Sequence, residues 1–252
     1  MREEIWTEKI FKDDAGYFLR ITKFFFDAET QMDVLYEDNH LIIVNKAAGE
    51  IVQGDKTGDE PLSEAVKKYI KEKYAKPGNV FLGVVHRLDR PVSGVVIFAR
   101  TSKALARLNA MFQKSEVKKT YHAIVEGTPQ PETAELQHWL VRNEKQNKAY
   151  VAGRDKTGAK LARLDYALLS KGENYSLVEV HLHTGRHHQI RCQLSAIGCP
   201  VKGDLKYGAR RSNPDGSICL HARHIRFEHP VSHQIVEVTA PYPETLPIWR
   251  KF

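Results

Sequence analysis

The stretch GVVHRLDRPVSGVVIFAR, residues 83–100, sets one carboxylate, Asp89, among His86, Arg87 and Arg90. Apolar runs flank this packet of charge, Val84-Val85 before it and Val95 to Phe98 after it, in the pattern of buried strands. Two readings stay open from these residues alone. Asp89 can be a turn carboxylate bonding nearby amides, with Pro91 and Gly94 shaping the loop. It can also be an anion held by flanking cations and available as a nucleophile or base.

A second cluster is HTGRHHQIRCQ, residues 183–193. The spacing predicts a helix with Thr184 as N-cap, an apolar stripe of Ile190, Leu194 and Ile197, and Gly198 as C-cap before Pro200. Arg186 would then sit in the first turn, where free amides and a guanidinium together suit a phosphate. Arg191 follows Ile190 and so flanks the packed face, from which it can reach a carboxylate on another element. His183 and His187 are four apart and His188 is adjacent, a spacing that raises the question of a metal. But His183 closes a strand pattern, so the two do not share a helical face, and no HExxH accompanies them; no metal site is predicted. The third cluster is KKTYHAIVEG, in which Tyr121 opens a strand. It reads either as an ordinary strand aromatic or as a stacking platform for an unpaired base. No GxGxxG, GxxxxGK[ST] or Ser nucleophile elbow is present, which argues against nucleotide cofactors and α/β-hydrolase chemistry.

The elements that must hold these groups are mostly strands. DVLYEDNHLIIVNK reads as two short strands around a Glu37-Asp38-Asn39 turn. EPLSEAVKKYIKEKY carries Leu62, Val66, Tyr69 and Ile70 at helical spacing, and SKALARLNAMFQK carries Leu105, Leu108 and Phe112. RNEKQNKAY reads as an exposed loop or hairpin. LARLDYALLS, YSLVEVHLH, CLHARHIRFEHP and HQIVEVTAP read as strands, the second alternating Val178, Val180 and Leu182 with polar neighbours. Strands in adjacent hairpin-like pairs predict an α+β fold with a largely antiparallel sheet. Residues 1–32 show no clean period and are expected to form an extension to a domain spanning 33–252.

The chain has 252 residues, enough for one large domain or two modest ones. Lys and Arg outnumber Asp and Glu by 38 to 31, a net charge of +7 that favours an anionic partner, with nucleic acid the commonest. No window nears the roughly 18 uninterrupted apolar residues of a membrane span. The acidic N-terminus does not read as a secretory signal. Three cysteines, Cys192, Cys199 and Cys219, in odd number and without CxxC spacing, predict neither a disulfide framework nor zinc. These features together predict a cytoplasmic protein.

In this order the clusters resemble the RluA-type pseudouridine synthase family. The resemblance runs from LYEDNHLIIVNKAAG through HRLDRPVSGV, KKTYHAIVEG and TGRHHQIRCQLSAIGCPVKGDLKYG to LHARHIRFEHP, and covers residues 33–243. It implies a mixed, mostly antiparallel sheet in two halves flanked by helices, with a central RNA-binding cleft. It implies isomerisation of selected uridines in ribosomal or transfer RNA, without cofactor, metal or energy source. Asp89 would be the essential carboxylate, attacking the sugar or the base or taking a proton from the sugar. Tyr121 would stack on the target base, and Arg191 would pair with Asp89. Leu220 would lie near the base, and Arg87 would fill the gap left by the flipped nucleotide. Apart from the resemblance, Arg90 beside the motif is expected, like Arg186, to meet phosphate. Two positions depart from the family pattern. Val92 stands where a threonine is usual, and Ala47 replaces the proline of NKPxG. No N-terminal S4-type RNA-binding domain is expected, and a monomer is. The alternatives are a catalytically silent RNA-binding or ribosome-assembly factor, or a metal-dependent hydrolase using His183, His187 and His188.

Overall fold

The computed structural model describes the backbone of residues 3–13 and 16–26 and the whole of residues 32–252. The chain divides into two compact units, Met1–Asp33 and Val34–Phe252. In the first, β1 (Glu3–Asp13) and β2 (Gly16–Phe26) form an antiparallel hairpin, which resolves a stretch where the sequence shows no period.

In the second unit, β3 (Val34–Glu37) and β4 (Leu41–Lys46) pair around a turn whose Asp38 Oδ1 accepts from His40 N and Leu41 N, both at 2.7 Å. Helix α1 (Leu62–Lys73) buries Leu62, Val66 and Ile70, and Pro61 stands at its N-cap. Short β5 (Gly83–Val84) leads through a loop to β6 (Ser93–Ala99), every residue of which is buried. Helix α2 (Ser102–Gln113) follows, capped by Thr101, whose side chain accepts from Ala104 N at 3.2 Å. Next come β7 (Lys118–Glu126), the hairpin β8 (Thr133–Asn143) and β9 (Lys148–Ala152), and the long pair β10 (Lys160–Lys171) and β11 (Tyr175–Leu182). Helix α3 (Gln189–Ala196) and a 3-10 turn at Leu205–Tyr207 precede β12 (Leu220–Glu228) and β13 (Ile235–Thr239).

One 11-stranded sheet joins β3 to β13, in the order β3-β4-β6-β12-β7-β11-β10-β8-β9, with β13 beside β12 and β5 beside β6. The fold is therefore α+β with a mixed, mostly antiparallel sheet, as the strand pairs predict. Among the described residues, the one parallel pairing is β6 with β12, through His221↔Ser93 and Ala222↔Gly94. Gly94 makes this contact possible. Its φ is +112°, and a Cβ there would stand 2.3 Å from the Ala222 carbonyl oxygen. The core beneath β4, β6, β12 and β13 is filled by Leu41, Ile43, Ile97, Leu108, Ile225 and Phe227, with α2 as its lid. All three cysteines are free and buried. Among the described residues no helix is long and apolar enough to cross a membrane.

Helix α3 starts later than its sequence pattern predicts. His188, not Thr184, is the N-cap, and its backbone is left-handed (φ 50°, ψ 30°), which stops the helix from extending toward Thr184. Gln189 instead ties the preceding turn together. Its Oε1 accepts from the Thr184 hydroxyl at 2.7 Å and from the Arg186 backbone amide at 2.9 Å. Arg186 thus lies before the helix with its amide already taken, so the expected amide-based phosphate site at this residue is absent. At the other end Ile197, not Gly198, is the C-cap; Gly198 follows it at φ 79° and turns the chain out of the helix, with Cys199 N donating to Leu194 O at 3.0 Å.

Candidate active site

The loop between β5 and β6 carries Asp89, and its backbone is fixed on all sides. Val92 N donates to Asp89 O at 3.0 Å, Gly49 N to Arg90 O at 2.8 Å, and Ile218 N to Pro91 O at 3.0 Å. The remaining contacts come from Lys46, the last residue of β4, which has no exposed surface. Its Nζ donates to Ala47 O at 2.8 Å, Arg90 O at 3.1 Å and Val92 O at 2.7 Å. Burial pushes its pKa down to about 8, with Glu50 and Asp89 opposing the fall. At the other end of the loop, His86 Nε2 accepts from Ile97 N at 3.0 Å, and its ring stacks on Phe112. Burial, aided by Lys119, lowers its pKa to about 3, so His86 is a neutral anchor and not part of a charge packet.

Arg191 crosses to this loop from the first turn of α3. Its Nη1 donates to Asp89 Oδ2 at 2.9 Å. Its Nε and Nη2 donate to Asp204 Oδ2 and Oδ1 at 2.6 and 2.9 Å, a two-pronged bond that fixes the guanidinium plane. Arg191 and Asp204 are 5% and 1% exposed, so neither charge has water to fall back on. Burial works against the Arg191 charge, but the bonds and charge of Asp204, then of Asp89, outweigh it and raise its pKa. The Asp89 side chain keeps 29% of its surface open to the cleft. Tyr121, on β7, is buried in the same cleft. Burial first and the Asp89 charge second raise its hydroxyl pKa, so it stays protonated.

The cleft has a volume of about 780 Å³. Among the described residues, Asp89 is the only carboxylate on a wall that also carries Arg87, Lys119, Arg142, Arg186 and Arg191. One carboxylate among four arginines and a lysine, the lysine's pKa lowered by burial, makes a wall suited to a polyanion. Residues 40–196 match the family model described as RNA pseudouridylate synthase.

The chain belongs to that family.

Ribosomal large subunit pseudouridine synthase D of Zymomonas mobilis is 32% identical over 225 residues, covering 85% of this chain and 70% of that protein. Human RNA pseudouridylate synthase domain containing 1 superposes with a TM-score of 0.67 at 27% identity, over 86% of each chain. Human RNA pseudouridylate synthase domain containing 4 superposes with a TM-score of 0.71 at 24% identity, over 84% of this chain and 89% of that one, a likeness of fold. The chain is accordingly an RNA pseudouridine synthase, an isomerase by family.

Of the residues picked from the sequence, this pseudouridine synthase brings Asp89, Tyr121, Arg191, Arg87, Arg186 and Leu220 to one cleft. Arg87 and Arg186 are exposed there, and Leu220 is buried at its floor. Arg90 is not among them. It pairs with Asp59 and lines a separate pocket with Gly49, Glu50 and Pro91. Lys46, Asp204, Lys119 and Arg142 are additions that sequence reasoning missed. Lys46 had a signal, a lysine ending the apolar strand LIIVNK, and Asp204 had another in GDLKYG. Arg142 had none, because it begins a stretch that reads as solvated loop.

The metal question has a geometric answer. Asp89, His187 and His188 offer donor atoms within 4.8 Å of one another. Arg191 already occupies Asp89 Oδ2, and the charges of Arg142 and Arg191 bear on both imidazoles. A dication there would meet two guanidinium charges across a partly buried site, so the arrangement suits a bound anion better than a metal. His183 is bonded to Asp165 instead.

Proposed function

We propose that this pseudouridine synthase isomerises uridine in large-subunit ribosomal RNA, with Asp89 as its essential carboxylate. The observation that carries the reading is a carboxylate, single among the described residues of a cationic cleft, held by a buried arginine beside a buried tyrosine. The name of the Zymomonas mobilis relative supports the ribosomal substrate.

The chemistry follows from the geometry. A stacked base is out of reach, so the uridine must be flipped out, at a cost of a few kcal/mol. Tyr121 offers its ring to the extruded base, Leu220 an apolar floor, and the exposed Arg87 a side chain for the vacated stack. Lys119, Arg142 and Arg186 meet the phosphates, so affinity falls as salt rises. Breaking the bond from N1 to the ribose builds positive charge on the sugar, which a carboxylate fixed by Arg191 stabilises. The uracil then turns, its C5 bonds the ribose, and the C5 hydrogen leaves as a proton while N1 gains one. No oxidant, metal or nucleotide is consumed. Residues 33–252 act as the catalytic domain, and residues 1–32 as an extension to it.

Mapping pseudouridine in total RNA from cells with and without the gene tests this reading. The expected result is the loss of one or a few sites in large-subunit RNA, restored in vitro by the purified protein. Sites lost only from transfer RNA would overturn the substrate assignment, and no lost site would favour a silent RNA-binding role.

A further inference from the structure

We propose that His188 and Tyr207 form a positioning pair for Asp89, with His188 Nε2 placed 3.4 Å from Asp89 Oδ2 and His188 Nδ1 accepting the Tyr207 hydroxyl. The proposal rests on the reading of Asp89 as the essential carboxylate and gives a task to two residues outside that reading.

Counting protons sets the direction of the chain of contacts. The Tyr207 oxygen accepts from Ala149 N at 2.8 Å, and His188 Nδ1, 3.0 Å away, is the acceptor within reach of its own hydrogen. Burial, then the charges of Arg191, His187, Lys206 and Arg142, push the His188 pKa down to about 2, so the ring is neutral. Burial also raises the Tyr207 hydroxyl, which therefore stays a donor. A neutral imidazole that accepts at Nδ1 carries its hydrogen on Nε2. That nitrogen lies 3.4 Å from Asp89 Oδ2, the oxygen that also takes Arg191. Catalytic contacts of this length commonly tighten when substrate binds.

The framework repeats one spacing twice. His188, the left-handed N-cap, and Arg191, three residues on in the first turn of α3, both reach Asp89. Asp204 and Tyr207 are likewise three apart, as the N-cap and the last residue of the 3-10 turn. Asp204 holds Arg191, Tyr207 holds His188, and the Tyr207 ring lies under the Arg191 guanidinium at 5.0 Å. The backbone of His188 is held in the left-handed region, which a residue with a side chain adopts only under strain. Its ring is clamped between His187, stacked at 3.8 Å, and the edge of Tyr207 at 5.6 Å. Strain retained beside a reactive carboxylate fits a positioning role.

The test uses the full chain with histidine labelled at both ring nitrogens. The nitrogen shifts of His188 should show a neutral ring with hydrogen on Nε2 from pH 5 to 8, and Tyr207→Phe should give a mixture of tautomers. In single-turnover assays on ribosomal RNA, Tyr207→Phe and His188→Leu should slow the chemical step roughly ten- to hundredfold by loosening the carboxylate. RNA affinity should stay within about twofold. His188→Asn, which tolerates the left-handed backbone and keeps an N–H donor, should recover part of the rate and covers the case in which the leucine variant does not fold. A charged ring or hydrogen on Nδ1 in the native protein would overturn the proposal, as would a native rate in folded His188→Leu. Failure of the Asp89 reading is separate: an active Asp89→Asn would refute that reading and leave the tautomer as measured.

Discussion

Replacing Lys46 by methionine removes one charge and three hydrogen bonds from the loop that carries Asp89. Two effects oppose each other. Burial of the charged amine is unfavourable, and the fall of its pKa from 10.5 to about 8 corresponds to roughly 3 kcal/mol. Hydrogen bonds from a charged donor contribute about 1.5–3 kcal/mol each, and each carbonyl left buried without a partner carries a similar penalty. The bonds win, so Lys46→Met should destabilise the protein by about 2–5 kcal/mol in urea unfolding. The loop would also lose its register, and a displacement approaching 1 Å at Asp89 should slow pseudouridine formation roughly a hundredfold. Release of tritium from uracil C5 in a single turnover reads this step directly. RNA affinity should hold, because Lys46 does not face the cleft. Full stability together with a native rate in Lys46→Met would refute the reasoning.

The same lysine gives a pH prediction. The folded chain holds this proton less tightly than the unfolded chain, so between pH 8 and 10.5 the unfolded state binds more protons. The burial cost is fully present below pH 8 and is relieved as pH rises through that window, so this group's contribution to stability rises. A neutral amine has two hydrogens for three carbonyls, however, so the catalytic rate should fall with a midpoint near pH 8 in the native protein, and this limb should be missing in Lys46→Met. Gly94→Ala places a Cβ 2.3 Å from the Ala222 carbonyl oxygen at φ +112°; at about 3 kcal/mol or more it should lower Tm by roughly 10 °C in calorimetry, and an unchanged Tm would contradict the close approach of β6 to β12. Asp204→Asn breaks the two-pronged ionic bond to buried Arg191 and should cost about 3–5 kcal/mol by denaturant unfolding, with the rate falling further than stability alone explains.

Much of this fold was legible because its strands and helices have strong periods. LIIV, VVIF and the alternation of YSLVEVHL each lie where their patterns place them. The boundary of α3 was not legible, because nothing local announces a left-handed histidine. In the folded chain the ring of that histidine packs against His187 and Tyr207, the latter 19 residues away. The joint reach of Arg191 toward Asp89 was anticipated, but the second carboxylate that aligns it was not. Asp204 lies 13 residues away, and only the folded chain shows that its two oxygens meet the guanidinium fork. Arg90 illustrates the opposite limit. Its neighbours in sequence enter the cleft, but the turn at residues 90–91 sends it to Asp59 on another surface. Spacing identifies the residues of a motif, while a tight turn decides which of them face the site.

The central claim is that Asp89 carries the chemistry while the surrounding cations carry the binding. Asp89→Asn keeps the size of the side chain and its contact with Arg191 Nη1 while removing the negative charge. Single-turnover tritium release and filter binding, run together on large-subunit RNA from cells lacking the gene, test it most directly. The account predicts no detectable pseudouridine formation, with RNA affinity equal to or above that of the native protein. Pseudouridine formation by Asp89→Asn at an appreciable fraction of the native rate would contradict it.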